Sequence, residues 1–271
     1  MKIVSLIVFL IFNLVAHQSL AGKRIALVIG NAAYDHAPKL ANPGNDAHDV
    51  SDRLRSLGFK VFEREDIDLA SSRTAIREFI QSLSGADIAI FYYAGHAIEA
   101  DGENYMLPTD ARLRYEDDLK YETISLTSVQ AAMEQSAKHS LIFLDACRDN
   151  PLAQNLARSL GSRSAKIGRG LSQMGAGVGT MIAYSTHPGN VALDGLGRNS
   201  PFTTALLKHL GHPGDGILDT MRKVRNDVLA DTEGAQVPWE NNSLTEKIVL
   251  SPEDTLAERP GATADAIELA Y

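Results

Sequence analysis

Leu141-Ile142-Phe143-Leu144-Asp145-Ala146-Cys147-Arg148-Asp149-Asn150-Pro151 is the stretch from which the fold is read. Its leading apolar residues have the character of a buried strand, and polarity changes abruptly at Asp145. The chain's single cysteine, Cys147, therefore falls just past a strand end, where α/β folds place their chemistry. A cysteine nucleophile needs a base. About fifty residues upstream the pattern recurs, as Cys/His pairs assembled in space often require: Ile88-Ala89-Ile90-Phe91-Tyr92-Tyr93 is a second apolar run, ending in Ala94-Gly95-His96-Ala97. If the two runs are parallel neighbours, His96 and Cys147 emerge at one edge of one sheet, paired by topology rather than by adjacency in sequence.

The flanking sequence supports that arrangement. Arg24-Ile25-Ala26-Leu27-Val28-Ile29-Gly30 predicts a first buried strand, and Asn42-Pro43-Gly44-Asn45-Asp46 a turn-rich loop. Val50, Leu54 and Leu57 fall at helical spacing ahead of Gly58, Phe59-Lys60-Val61-Phe62 predicts a second strand, and 69–83 an amphipathic helix. An acidic loop over 101–122, a helix over about 128–137 and the Cys147 strand complete a βαβ unit, which makes neighbouring strands parallel. Beyond it, 180–185 predicts a strand, 201–210 and 217–229 helices, and 244–250 a last strand reached through Pro238-Trp239. No internal repeat is present.

Composition bounds the function. A chain of 271 residues that is 44% hydrophobic buries a full core as one domain, and a net charge of −8 supplies no basic face for nucleic acid. There is no zinc-finger or P-loop pattern. Lys2, the apolar run from Ile3 to Val15 and Ser19-Leu20-Ala21 have the form of a signal peptide over 1–21, which predicts an exported, periplasmic or secreted protein with a mature chain from about Gly22. An uncleaved membrane anchor is the competing reading of that segment, short as it is for a span. With one cysteine the chain forms no internal disulfide, so in an oxidising compartment Cys147 is a free thiol that invites a functional explanation.

Cysteine attacks as thiolate, and a nearby imidazole both withdraws its proton and returns one to the leaving amine. Taken singly, Cys147 reads as a small buried hydrophobe and His96 as a satisfied loop histidine. Both follow apolar strands and both have small neighbours, Gly95, Ala97 and Ala146, which favours the chemical reading. Tyr92-Tyr93-Ala94-Gly95-His96 and Asp145-Ala146-Cys147-Arg148 resemble the histidine and cysteine motifs of the caspase-like cysteine peptidases, nearest to their bacterial metacaspase-like branch. The separation of 51 residues (147 − 96) agrees with the caspase spacing. The resemblance runs from Arg24 through Ala183-Tyr184-Ser185, Asn199-Ser200-Pro201-Phe202 and Val237-Pro238-Trp239-Glu240.

The resemblance implies an α/β fold, a caspase-like three-layer α/β/α sandwich on a mostly parallel sheet of about six strands. It implies a catalytic domain over 22–250, with a large-subunit-like part (22–154), a basic Gly/Ser-rich linker (155–179) and a small-subunit-like part (180–250); the remaining 251–271 has little apolar periodicity and reads as a loosely ordered tail. By the same resemblance Cys147 is the nucleophile and His96 the general base and acid of a cysteine-type endopeptidase acting on protein or peptide substrates. The backbone N–H groups of Ala97 and Cys147 form the oxyanion hole. Ala97 stands where the family has glycine; alanine keeps the N–H but not an easy positive φ, so the hole requires an ordinary backbone there. Asp145 and Asp46 match the acidic residues with which metacaspases receive Arg or Lys before the scissile bond, and Leu40 stands where animal caspases carry a pocket arginine. Asp46 also reads as a helix N-terminal cap, and Asp145 as a residue orienting the cysteine loop.

Basic P1 specificity makes Arg158, Arg163, Lys166 and Arg169 candidate self-cleavage sites, against the plainer reading of a solvated basic loop. No cofactor is required and no metal ligand set is assigned; Asp46, His48, Asp49 and Asp52 read as a helix face, although the acidity of the 101–118 loop leaves calcium activation open. The competing functions are a catalytically silent caspase-fold module that binds peptides or partner proteins, and a different hydrolase or transferase built on the same Cys/His pair. Oligomeric state has no signature in the sequence.

Overall fold

A computed structural model describes residues 22–146, 156, 167, 170–190 and 192–252. The first strand, β1 (Arg24–Gly30), leads through a loop to helix α1 (Pro43–Ser56), then β2 (Lys60–Glu65), α2 (Leu69–Ser82) and β3 (Ala86–Gly95). Three short strands follow, β4 (Ala97–Ala100), β5 (Glu103–Met106) and β6 (Ile124–Ser125), with α3 (Asp118–Glu122) between the last two. Then come α4 (Leu126–Ser136), β7 (Ala137–Ala146), β8 (Thr180–Tyr184), α5 (Pro201–His209), α6 (Ile217–Asp231) and β9 (Trp239–Asn242).

Six strands lie side by side in the order β2-β1-β3-β7-β8-β9, all parallel except β9, which runs antiparallel to β8. Continuous apolar runs can fill the middle of such a sheet because both faces are covered. Alternate residues feed the two faces. On one, Leu27, Phe91 and Ile142 pack with Phe79 of α2 and Met133 of α4; on the other, Val28, Ile90 and Phe143 pack with Leu54 of α1, Phe202 of α5 and Val224 of α6. The result is the α/β/α sandwich. Deleting one fully buried ring such as Phe79 from it costs about 3–5 kcal/mol.

Local chemistry sets the element ends. Pro43 opens α1, where its missing N–H is harmless, and Gly58 (φ 81°) turns the chain out of it. Asp68 caps α2 by accepting the Ser71 N–H at 2.7 Å.

Two expectations are corrected. The segment 244–250 is not a strand: Ile248 and Leu250 anchor it to the α6 face, and its ladder contact is an isolated bridge between Val249 and Gly216. The last strand is the preceding Trp239–Asn242, a half-exposed edge whose polar residues carry no burial pattern to read. Nor is 101–122 simply a loop. Asp101 (φ 50°) and Gly102 (φ 83°) form a two-residue hairpin turn of the primed type, so β4 and β5 pair antiparallel and start a small second sheet, β4-β5-β6.

Candidate active site

The two motif strands are neighbours, in register up to the last described residue of β7. β3 and β7 pair in parallel, with Ala94 opposite Asp145 and Gly95 opposite Ala146. His96 is the first residue beyond β3. Cys147, the residue after Ala146 in sequence, lies outside the described residues, as do Arg158, Arg163, Lys166 and Arg169.

His96 is held through its backbone, its ring face and Nε2. Its backbone N–H donates to Tyr34 Oη at 2.7 Å, and its carbonyl accepts from Tyr93 Oη at 2.5 Å and from the Leu107 N–H at 3.1 Å. The Tyr34 ring lies against the imidazole, centroids 4.6 Å apart and tilted by 52°. Nε2 is 2.9 Å from the carbonyl oxygen of Pro38. A carbonyl only accepts, so Nε2 carries a proton, and in the neutral ring Nδ1 is the basic nitrogen. The approach to His96 depends on Gly95: a Cβ there would lie 2.6 Å from Tyr34 Oη and 2.7 Å from Tyr93 Oη.

Ala97 opens β4 opposite Met106. The bond from the Leu107 N–H to the His96 carbonyl marks Ala97 and Met106 as a non-hydrogen-bonded pair, so the Ala97 N–H points out of the ladder. Positive φ among described non-glycine residues occurs at Asp66, Asp101 and Glu233, not at Ala97. Alanine is conformationally ordinary at this position.

Asp46 and Asp145 are fully buried and meet at one residue, Ser200. The Ser200 N–H donates to Asp46 Oδ1 at 3.0 Å, and its Oγ donates to Asp145 Oδ2 in a short bond. Thr203 Oγ1 adds a second donor to Asp145 Oδ2 at 3.0 Å and takes its own hydrogen bond from Tyr92 Oη at 2.5 Å. The same Ser200 Oγ caps α5, accepting the Thr203 N–H at 2.9 Å. Asp46 is not the N-terminal cap of α1: that position is Asn42, and Asp46 sits in the first turn, where the helix dipole favours a carboxylate.

The chain leading to Ser200 is clamped along α1. Arg198 makes a two-pronged pair with Asp49, both bonds 2.9 Å, and Asn199 adds a third at 3.0 Å. These hydrogen bonds, Arg198 first, hold the Asp49 carboxyl below the usual carboxylate range. Asp194 Oδ2 accepts from the Ala41 N–H at 3.0 Å, joining this segment to the loop that presents Pro38. Leu40 packs partly buried against a third apolar cluster around Tyr34 and Leu107. His48 and Asp52 lie on the exposed side of α1 as a helix face, and no group of three or more potential metal ligands occurs among the described residues. No described helix is long and apolar enough to cross a membrane.

Sequence reasoning missed Tyr34, the Pro38 carbonyl and the bridging role of Ser200. A backbone acceptor has no side-chain signature, and Ser200 stood in a recognised motif without an assigned task.

Comparison with known proteins is consistent with this architecture. A human protein, mucosa-associated lymphoid tissue lymphoma translocation protein 1, is 33% identical over 132 residues, 48% of this chain and 16% of its own; its mouse homolog matches to the same extent. The chain thus spans about a sixth of the length of these relatives. The crystal structure of caspase-1 from Spodoptera frugiperda superposes with a TM-score of 0.62 at 19% identity, covering 86% of this chain and 93% of that one, which is a likeness of fold. The caspase-domain model of the C14 peptidases matches residues 23–249. With a six-stranded, mostly parallel sheet between two layers of helices and that model matched over most of its length, the chain belongs to the caspase-domain family and has its cysteine-protease fold.

Proposed function

We propose that this chain is a cysteine endopeptidase that cleaves after Arg or Lys. The observation that supports the reading is the tether of His96 Nε2 to Pro38, which leaves Nδ1 as the basic ring nitrogen of the residue that follows Gly95, the strand partner of Ala146. In the proposed reaction Cys147 Sγ attacks the scissile carbonyl carbon as His96 Nδ1 takes the thiol proton. The oxyanion is received by the N–H groups of Ala97 and Cys147. Collapse breaks the C–N bond, His96 returns the proton to the leaving amine, and water activated by His96 hydrolyses the thioester.

The P1 side chain is assigned to Asp46 and Asp145, two carboxylates drawn together by one serine, which suit a guanidinium or ammonium and repel an acid. Because both are fully buried, a P1 side chain reaches them only by displacing what covers them. The same preference assigns self-processing to Arg158, Arg163, Lys166 or Arg169 in the linker. Residues 1–21 are proposed to direct export; N-terminal sequencing of the protein from a bacterial periplasmic fraction should begin near Gly22.

The test uses reduced protein from Gly22 onward, with and without calcium, on matched peptides that differ only in Arg, Lys or Asp at P1, with Cys147→Ala in parallel. Cleavage after Arg or Lys, absent in the variant, is expected. Cleavage after Asp overturns the pocket assignment, and no turnover by a folded protein moves the assignment to a silent peptide-binding module.

A further inference from the structure

A groove of about 1000 Å³ opens between α2, α4 and the small sheet, and none of the residues assigned to the active site lines it. Its floor is apolar, built from Ile76 and Ile80 of α2, Ile124 of β6 and Val129 of α4. Arg73, Arg77 and Lys120 stand exposed around it. Among the described residues these three have no carboxylate partner. Arg73 donates to the Tyr121 carbonyl at 3.1 Å, and Lys120 lies 5.7 Å from the Tyr121 ring. Glu78, beside Arg77 on α2, is taken by Arg64 at 2.9 Å, and the groove's own acid, Glu103, accepts from Ser125 Oγ at 2.6 Å. The N-terminal end of α4 also opens here, through Ser125 and Ser128, with no acidic residue in its first turn. An apolar floor, three cations and the positive end of a helix dipole suit an acidic amphipathic segment.

The chain carries such a segment. Residues 253–271 contain Glu253, Asp254, Glu258, Asp265 and Glu268 against the single cation Arg259, and Ile267, Leu269 and Tyr271 interleave with the last two acids. The Leu250 carbonyl accepts from Arg24, the first residue of β1, at 2.7 Å, so the segment leaves the domain at the strand-start end of the sheet, between its two faces. From Pro252 the fourteen residues ahead of Ile267 reach about 46 Å when extended, about the full breadth of roughly 45 Å expected of a domain this size, which suffices to reach the α2 and α4 face from there. We propose that residues 253–271 dock in this groove, with Ile267, Leu269 and Tyr271 on the apolar floor and the carboxylates toward Arg73, Arg77 and Lys120.

The experiment needs no catalytic activity, so it stands apart from the peptidase assignment. A fluorescein-labelled peptide of residues 253–271 is titrated by anisotropy into a chain ending at Pro252. Saturable binding is expected, weakening as salt rises. It should fall roughly tenfold or more in the Arg73→Glu, Arg77→Glu chain, because attraction becomes repulsion. The pair Arg73→Gln, Arg77→Gln, with an unchanged circular dichroism spectrum, guards against loss of fold. The full-length chain should bind the peptide at least about tenfold more weakly, since its own tethered segment competes at an effective concentration near millimolar. No binding, equal binding of a scrambled peptide, or equal binding by full-length and shortened chains overturns the proposal. Self-association of the shortened chain that Arg77→Glu abolishes also overturns it, and assigns the groove to a second copy.

Discussion

Replacing Ser200 by alanine tests whether one hydroxyl links pocket and fold. The substitution removes two interactions at once: the charge-assisted bond to Asp145 and the cap on the Thr203 N–H. A hydrogen bond to a charged group contributes about 1.5–3 kcal/mol, and an N-terminal cap about 0.5–2 kcal/mol. Sharing one oxygen makes the terms less than additive, and Thr203 still donates to Asp145, so the expected total is about 2–4 kcal/mol. Urea denaturation of the chain from Gly22 measures it as a lower midpoint with an unchanged slope. Ser200→Thr keeps the hydroxyl and should recover most of the loss.

The peptidase reading adds a second measurement. In Ser200→Ala the kcat/KM ratio for P1 arginine over its neutral isostere citrulline should fall roughly tenfold, equivalent to ~1.4 kcal/mol. Phe79→Leu, on the opposite face of the sheet, lowers stability without touching that ratio. An Ala variant within about 0.5 kcal/mol of the parent, the usual scatter of neutral surface changes, or a Thr variant as damaged as Ala, would refute the reasoning.

Three further outcomes are expected. Gly95→Ala puts a methyl against both tyrosine hydroxyls, so it should cost about 1–3 kcal/mol and displace His96, lowering kcat by more than it alters KM. Ala97→Gly should leave activity within about threefold and cost roughly 0.5–1 kcal/mol of stability, because the N–H already points out of the ladder; a large gain in activity would show that the alanine backbone is wrong for the oxyanion. Asp49 has a depressed pKa in the folded chain, so its contribution is present above the unfolded carboxylate value near 4 and is lost as pH falls through the folded value. Asp49→Asn should therefore destabilise the chain at neutral pH, by less than about 1 kcal/mol given the exposure of Arg198, with the difference closing in acid; a difference that persists at pH 2 would assign the effect to packing.

The fold was legible where burial imposes a period. β1, β3, β7 and β8 are apolar runs because both faces of the sheet are covered, and α2 shows its buried Ala75 and Phe79 at helical spacing. What stayed hidden lacks that signal. β9 is an edge strand of Trp239 and three polar residues, none of them buried, and 244–250 looks like a strand because Ile248 and Leu250 alternate while packing against helices. The β4-β5 hairpin did leave a mark, Asp101-Gly102, which the acidity of the surrounding residues obscured. At the site, His96 stood out through its strand and glycine, and Asp145 through its break in polarity. The Tyr34 and Pro38 contacts could not be seen, since they join residues about sixty apart through a hydroxyl and a carbonyl.

The register of β3 and β7 changes the meaning of the 51-residue interval between His96 and Cys147. Nine residue pairings along the β3-β7 ladder bring Gly95 opposite Ala146, and the intervening segment only has to leave β3 and return. Loop-closure entropy rises by about 0.6 kcal/mol per doubling of loop length, so an insertion in the exposed turn at 114–117 should lengthen the interval while leaving both strand ends in place. Distant kin of this chain are then better sought by two short strand-end motifs at free separation than by a fixed count between them.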